Sequence, residues 1–265
     1  NKNTKETIII EKNDNGISKI ILNQPEKHNA LSPMIIRELS ESFNELKEDP
    51  NTKVLIISAK GKSFCAGGDL DWMKEQIFSD RKTRIEEARK LADLLYKMYQ
   101  FPKPLIAKVE GNAFGGGIGI ISVCDVAIST ENIKLALTEA KLGLIPATIS
   151  PYVISKVGSS NCIDLFTSAR TFYPSEAKNI GLIKSFCNEE SIDNIINEEA
   201  HSILINGPSA VKASKNLVRN LSSKIDENTI KFTVEALADV WENPESIEGI
   251  NAFFEKRKPN WIMEK

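Results

Sequence analysis

Two glycine-rich stretches and one glutamate carry the chemistry in this chain. In Gly111-Asn112-Ala113-Phe114-Gly115-Gly116-Gly117-Ile118-Gly119, three consecutive glycines open an apolar run that continues to Asp125. Bare backbone N–H groups at the start of such a helix, with no Cβ in the way, form a site for an anion or oxyanion. Phe64-Cys65-Ala66-Gly67-Gly68-Asp69 offers a second glycine loop. One N–H from each loop, aimed at a single carbonyl oxygen, would stabilise an enolate, and losing one donor of this kind costs about 2.7 to 4 kcal/mol of activation energy. Glu139 supplies an acid. It lies in the mainly apolar segment Leu135 to Pro146, where desolvation raises a carboxyl group toward the range useful for proton transfer. Gly119 brings no side chain to a place where a second acid would be sought.

The surrounding pattern predicts the elements that must position these residues. The β-branched runs Thr7 to Ile10 and Ile17 to Leu22, joined across Asn15-Gly16, predict a hairpin. Ser32-Pro33 followed by Ile36, Leu39, Phe43 and Leu46 predicts an amphipathic helix from Pro33 to Glu48. Val54 to Ser58, Leu105 to Val109 and Val126 to Ser129 are short apolar runs suited to buried strands, and Ala59 to Gly68 reads as a loop. Between the first two strands, Ile85, Ala88, Leu91, Leu94, Leu95 and Met98 mark a long helix. Strands alternating with helices give an α/β class with a mixed, largely parallel sheet. If the strands at 54–58 and 105–109 are parallel neighbours, both glycine loops leave the sheet at one end, where α/β proteins bind ligands. From Ser191 onward strand signals fade, and helices are predicted at 192–205, 209–221, 227–241 and 244–256, packing on the same core or on another subunit. Asp69 reads as the N-cap of a helix starting at Leu70, with Asp71 a spare acid beside it. Asp125 reads as structural, and Trp72 and Met73 as packing residues or pocket walls.

The order and spacing of these motifs resembles the enoyl-CoA hydratase/isomerase, or crotonase, family over nearly the whole chain. Asn23-Gln24-Pro25-Glu26-Lys27-His28-Asn29-Ala30-Leu31 looks like the family's amino-terminal CoA-binding segment, Phe64 to Asp69 like its first oxyanion loop, and Gly111 to Asp125 like its second. The resemblance implies a spiral of ββα units in residues 1–190, holding the CoA and acyl pocket, and a helical region in 191–265 for oligomerisation and site cover. It places the oxyanion donors on the N–H groups of Gly68 and Gly116 and the acid on Glu139. The CoA and pantetheine contacts fall around Lys27, Asn29, Ala30, Ala66 and Leu70. The second glutamate of two-acid hydratases falls on Gly119, which cannot do its work. Gly119 is instead expected to widen the acyl pocket. A single acid fits the isomerase pattern, yet Glu139 to Val153 is similar to a branch handling methylglutaconyl-CoA and other branched-chain enoyl thioesters. The reading is therefore a hydratase of a 2-enoyl-CoA, branched or carboxylated, with a delta-isomerase and a non-catalytic acyl-CoA-binding protein as alternatives. A homotrimer or dimer of trimers is implied, and no cofactor beyond the CoA carried by the substrate.

Composition excludes several other classes. Of the 265 residues, 34 are Lys or Arg and 36 Asp or Glu, so the formal charge of -2 provides no general field for nucleic acid or anionic membrane. The basic residues Lys27, Lys60, Lys62, Arg257 and Lys258 are solvated charges unless they meet the phosphates of CoA, where Lys27 is the first candidate. Cys65, Cys124, Cys162 and Cys187 are far apart, and only His28 and His201 could join them, so neither a metal site nor a disulfide framework is expected. A dinucleotide fingerprint fails because its third glycine would fall at Ser122, and there is no Gly-Lys-Ser/Thr for a P-loop. With no membrane-length apolar run and a polar start, the expected location is the cytoplasm.

Overall fold

In the computed structural model, which describes residues 1–263, the chain begins with β1 (Lys2–Thr4), β2 (Ile8–Lys12) and β3 (Ile17–Leu22). β2 and β3 form the expected antiparallel hairpin, with Ile8 opposite Leu22. Gly16 closes the turn with φ of 88°, a value that favours glycine. α1 (Pro33–Glu48) starts where Ser32-Pro33 predicts, and Ser32 Oγ accepts a hydrogen bond from the Ile35 N–H at 3.3 Å.

Three ββα units follow, each made of a long strand, a short strand and helix. The first is β4 (Val54–Ala59), β5 (Ser63–Cys65), α2 (Leu70–Phe78) and α3 (Arg81–Tyr99). The second is β6 (Leu105–Val109), β7 (Asn112–Phe114) and α4 (Gly116–Val123). The third is β8 (Val126–Thr130), β9 (Leu135–Ala136), a 3-10 turn at Glu139–Leu142, α5 (Ser150–Val157) and α6 (Ser159–Ser168). α7 (Pro174–Asn179) and β10 (Ser185–Cys187) complete the sheet. The fold is thus the mixed α/β spiral expected.

The long strands build a seven-stranded sheet in the order β1-β2-β3-β4-β6-β8-β10, parallel from β3 onward. β4 and β6 are parallel neighbours, as the loop argument requires. Alternate residues of β4 enter different cores: Leu55 and Ile57 join Leu39, Leu95 and Ile121, whereas Val54 and Ile56 meet Ile192 and Ile196. Burial on both faces is why this strand reads as an unbroken apolar run.

The segment Ala59 to Gly68 is not the plain loop expected. Ser63–Cys65 is a strand, and it pairs in parallel with β7, which pairs in parallel with β9. Strands of two or three residues are too short to show a period, and they persist because the second sheet pairs them.

Four helices end the chain: α8 (Ile192–Leu204), α9 (Pro208–Leu221), α10 (Glu227–Trp241) and α11 (Pro244–Phe254). α8 covers the sheet through Ile192, Ile196 and Ala200. α10 packs on α3 through Ile230 and Val234 against Ala88 and Ala92, and Arg89 grips Glu227 with two hydrogen bonds of 2.5 and 2.6 Å. α11 lies against the Glu139–Leu142 turn so closely that a Cβ on Gly249 would collide with the Leu142 carbonyl. α8, α10 and α11 therefore pack on their own chain. Among the described residues, no helix is long and apolar enough to cross a membrane.

Candidate active site

The small sheet delivers the three candidate groups side by side. β5 runs into Ala66 to Gly68, β7 into Gly115 and Gly116, and β9 reaches Glu139 two residues after Leu137. All three strands are parallel, so the loops leave from the same edge. The two glycine loops then touch: a Cβ on Gly67 would sit 2.9 Å from the Phe114 carbonyl oxygen and 3.5 Å from the Gly116 nitrogen. Gly67 holds φ of 91° and Gly115 φ of 50°, so glycine is needed at both for conformation as well as space.

The amino-terminal segment fastens the first loop. The Ala66 N–H donates to the His28 carbonyl at 3.0 Å, and the Leu31 N–H donates to the Gly67 carbonyl at 2.7 Å. Asp69 caps α2, its Oδ1 accepting from the Trp72 N–H at 2.9 Å. That leaves the Gly68 N–H, and the Gly116 N–H in the first turn of α4, without an acceptor among the described residues. Both sit at the junction of the loops, and Leu31 bridges to Gly68 while its side chain covers Gly116.

Glu139 stands beside that junction. A Cβ on Gly115 would lie 2.5 Å from Glu139 Oε1, so only glycine leaves room for the carboxyl group. Glu139 Oε2 is buried with no hydrogen-bond partner. Burial pushes the carboxyl group up to about 7, partly offset by a hydrogen bond from its own backbone N–H. A buried carboxyl with one oxygen unpartnered, raised toward neutrality, is poised to exchange protons.

The residues expected around CoA separate into two sets. Lys27 is exposed at the end of a 3-10 turn, Leu70 is exposed at the start of α2, and Ala66 is partly exposed in the first loop. Ala30 is buried. Asn29 is wholly buried: Oδ1 accepts from the Gln24 N–H at 2.8 Å, and Nδ2 donates to the Lys60 and Ser63 carbonyls at 2.9 Å each. Its side chain is buried and shapes the segment through these three hydrogen bonds.

Gly119 gives the clearest correction. It does not widen a pocket, because the side chain of Ile149 occupies the position that a Cβ would take. Ile149 is itself buried, contributed by the chain just before α5. Sequence spacing could not pair residues thirty positions apart. Asp125, read as structural, accepts from the Leu105 N–H at 2.8 Å, from Lys215 Nζ at 2.6 Å and from Arg219 Nη2 at 2.9 Å. Cys65 lies beneath the first loop, fully buried, with its thiol pushed up to about 12, so it is no nucleophile.

A cavity of about 60 Å³ adjoins Gly68, with Leu31, Ile36, Trp72, Leu91, Thr148 and Leu237 in its wall. Trp72 is thus a pocket wall, and Met73 lies over Gly68. Larger cavities of about 670 and 760 Å³ flank α9; apart from Asp125, at the far end of the second glycine stretch, they share no residue with either glycine loop or with the Glu139 turn. Another, of about 690 Å³, is lined by Lys141 from the turn together with Arg257 and Lys258. There Arg257 is held by Glu248 at 2.6 Å and Glu255 at 2.5 Å.

Sequence and fold both match known proteins over nearly the whole chain. The family model for enoyl-CoA hydratase/isomerase matches residues 12–264. The chain belongs to the enoyl-CoA hydratase/isomerase family. A short-chain-enoyl-CoA hydratase from Clostridium acetobutylicum is 31% identical over 258 residues, covering 95% of each chain. The crystal structure of an enoyl-CoA hydratase from Shewanella pealeana aligns with TM-score 0.79 at 35% identity, covering 97% of this chain and 96% of that one. An enoyl-CoA hydratase from Mycobacterium avium aligns with TM-score 0.85 at 26% identity, covering 98% and 100%. This member of the hydratase/isomerase family is accordingly an enzyme, and its two glycine loops occur in the order and spacing first noted.

Proposed function

We propose that this enzyme is an enoyl-CoA hydratase that adds water to a 2-enoyl-CoA thioester with Glu139 as its single acid/base. The reading rests on one observation: the buried carboxyl group of Glu139 lies against Gly115, next to the free N–H of Gly116. The thioester oxygen sits between the N–H groups of Gly68 and Gly116. Glu139 takes a proton from water as the water oxygen bonds to C3. The electron pair of the double bond moves onto the thioester oxygen as an enolate, and C2 then takes the proton from Glu139. Lys27, Ala30, Ala66 and Leu70 border the path of the pantetheine and nucleotide. No cofactor is needed beyond the CoA of the substrate.

A branched or carboxylated acyl chain is the finer reading, supported by the similarity of Glu139 to Val153 to the methylglutaconyl-CoA branch. With Ile149 beside Gly119, a branch would be accommodated along Leu31, Ile36 and Leu91. The exposed apolar residues Leu217, Val218 and Leu221 on α9 support assembly as a trimer or dimer of trimers, checked by light scattering.

The test is hydration of crotonyl-CoA, followed as loss of the enoyl absorbance. Glu139→Gln should lower the rate a hundredfold or more. One observation favours a delta-isomerase instead: with Ile149 beside Gly119, no second carboxylate occupies the position used by two-acid hydratases. An enzyme that hydrates no 2-enoyl-CoA but converts a 3-enoyl to a 2-enoyl thioester would establish that alternative.

A further inference from the structure

The apolar cavity beside Gly68 has an ion pair in its wall, formed by Glu87 and Lys90. Both come from α3, three residues apart and therefore on one side of the helix. Glu87 Oε2 accepts from Trp72 Nε1 at 3.2 Å, and Oε1 accepts from Lys90 Nζ at 2.5 Å. The two charges are not equally placed. The Glu87 side chain is 20% exposed and that of Lys90 53%, so the anion is the inner member and the cation the outer.

A carboxylate can accept about four hydrogen bonds, and Glu87 has two. It retains acceptor capacity and offers no donor to the cavity. An acyl chain ending in a carboxylate would bring a second anion against it among apolar walls, where screening by water is reduced. The single Trp72 N–H is engaged by Glu87, and the Lys90 ammonium, one of whose three N–H groups donates to Glu87, stands on the outer, more exposed side of the pair. A neutral chain meets no such opposition.

We infer that Glu87, held by Trp72 and Lys90, is a specificity-determining residue that excludes acyl chains ending in a carboxylate and admits neutral ones. The inference rests on the reading of Gly68 as a donor to the thioester oxygen, and of the branched and carboxylated acyl chains open to this enzyme it selects the neutral, branched one and rejects methylglutaconyl-CoA itself.

Calorimetric binding of saturated thioesters tests it without requiring turnover. Pentanoyl-CoA and glutaryl-CoA carry acyl chains of equal carbon number, the second ending in a carboxylate. The wild-type enzyme should bind pentanoyl-CoA at least about tenfold more tightly. Glu87→Gln should shrink that ratio by about tenfold, since it removes the charge and frees Lys90. Lys90→Met, a change at a half-exposed side chain, should widen the ratio by leaving Glu87 uncompensated. Equal or tighter binding of glutaryl-CoA by the wild type overturns the inference, as do two variants that shift the ratio in the same direction or not at all. If neither thioester binds, the thioester-site reading fails and the inference falls with it. Binding of pentanoyl-CoA with an unmoved ratio removes the inference alone.

Discussion

Glu139 couples catalysis and stability through one protonation. The mechanism needs its carboxylate to receive a proton from water, so kcat/KM for hydration should rise with pH through about 7 and level off above it. Glu139→Gln should retain no such step. Folding carries the opposite dependence. The folded protein holds the Glu139 proton up to about 7, against the ordinary 4.5, so between these values the native state binds more protons and its stability falls as pH rises. The loss amounts to about 3 kcal/mol when complete. Glu139→Gln should therefore melt progressively higher than wild type as pH goes from 5 to 8, measured by thermal denaturation at each pH. A Tm difference that stays constant over that range would remove desolvation as the cause of the raised value.

Short elements position this site more directly than long ones. The seven-stranded sheet orders the chain, but the loops are brought together by β5, β7 and β9, whose pairing sets the Gly68, Gly116 and Glu139 segments at one edge. α11 supports the last of these from outside, with Gly249 against the Leu142 carbonyl and Gly143 against the Glu245 carbonyl. Gly249→Ala should push the turn inward and cost about 1 to 3 kcal/mol of stability. It should also lower kcat more than it raises KM, because the acid moves while the CoA-facing segment does not. Steady-state kinetics of the folded variant separates the two effects. These contacts lie outside sequence reasoning because a short strand has no period and a glycine in a helix does not announce which carbonyl it admits. The long elements were legible: α1 and α10 match their predicted bounds, as does β6, since capping residues and sustained apolar spacing mark them locally.

Across the whole molecule, Asp125 joins parts distant in sequence. It follows α4, accepts from the first N–H of β6, and receives Lys215 and Arg219 from α9. α9 has no buried residue of its own, so this carboxylate and the stacking of Arg219 on Tyr99, 3.9 Å from the ring centroid, hold it in place. Asp125→Asn should cost about 1.5 to 3 kcal/mol, the range for hydrogen bonds to a charged group, read from denaturant unfolding. Amide exchange should rise first in α9 and leave the β5-β7-β9 sheet protected, because the loss is local to the helix that depends on the charge.

What the sequence determined by itself was the chemistry on offer: two glycine loops for an oxyanion, one acid in an apolar segment, no acid at position 119, and an order of motifs similar to one family. Those features are local, and glycine, proline and apolar periodicity express them within a few residues. Only the tertiary structure decided what surrounds each group. It put Glu139 against Gly115, turned Asn29 inward, and filled the space beside Gly119 with Ile149. Each of these depends on close packing between segments far apart in the chain, and packing partners are chosen by the shape of the folded interior rather than by neighbours in sequence.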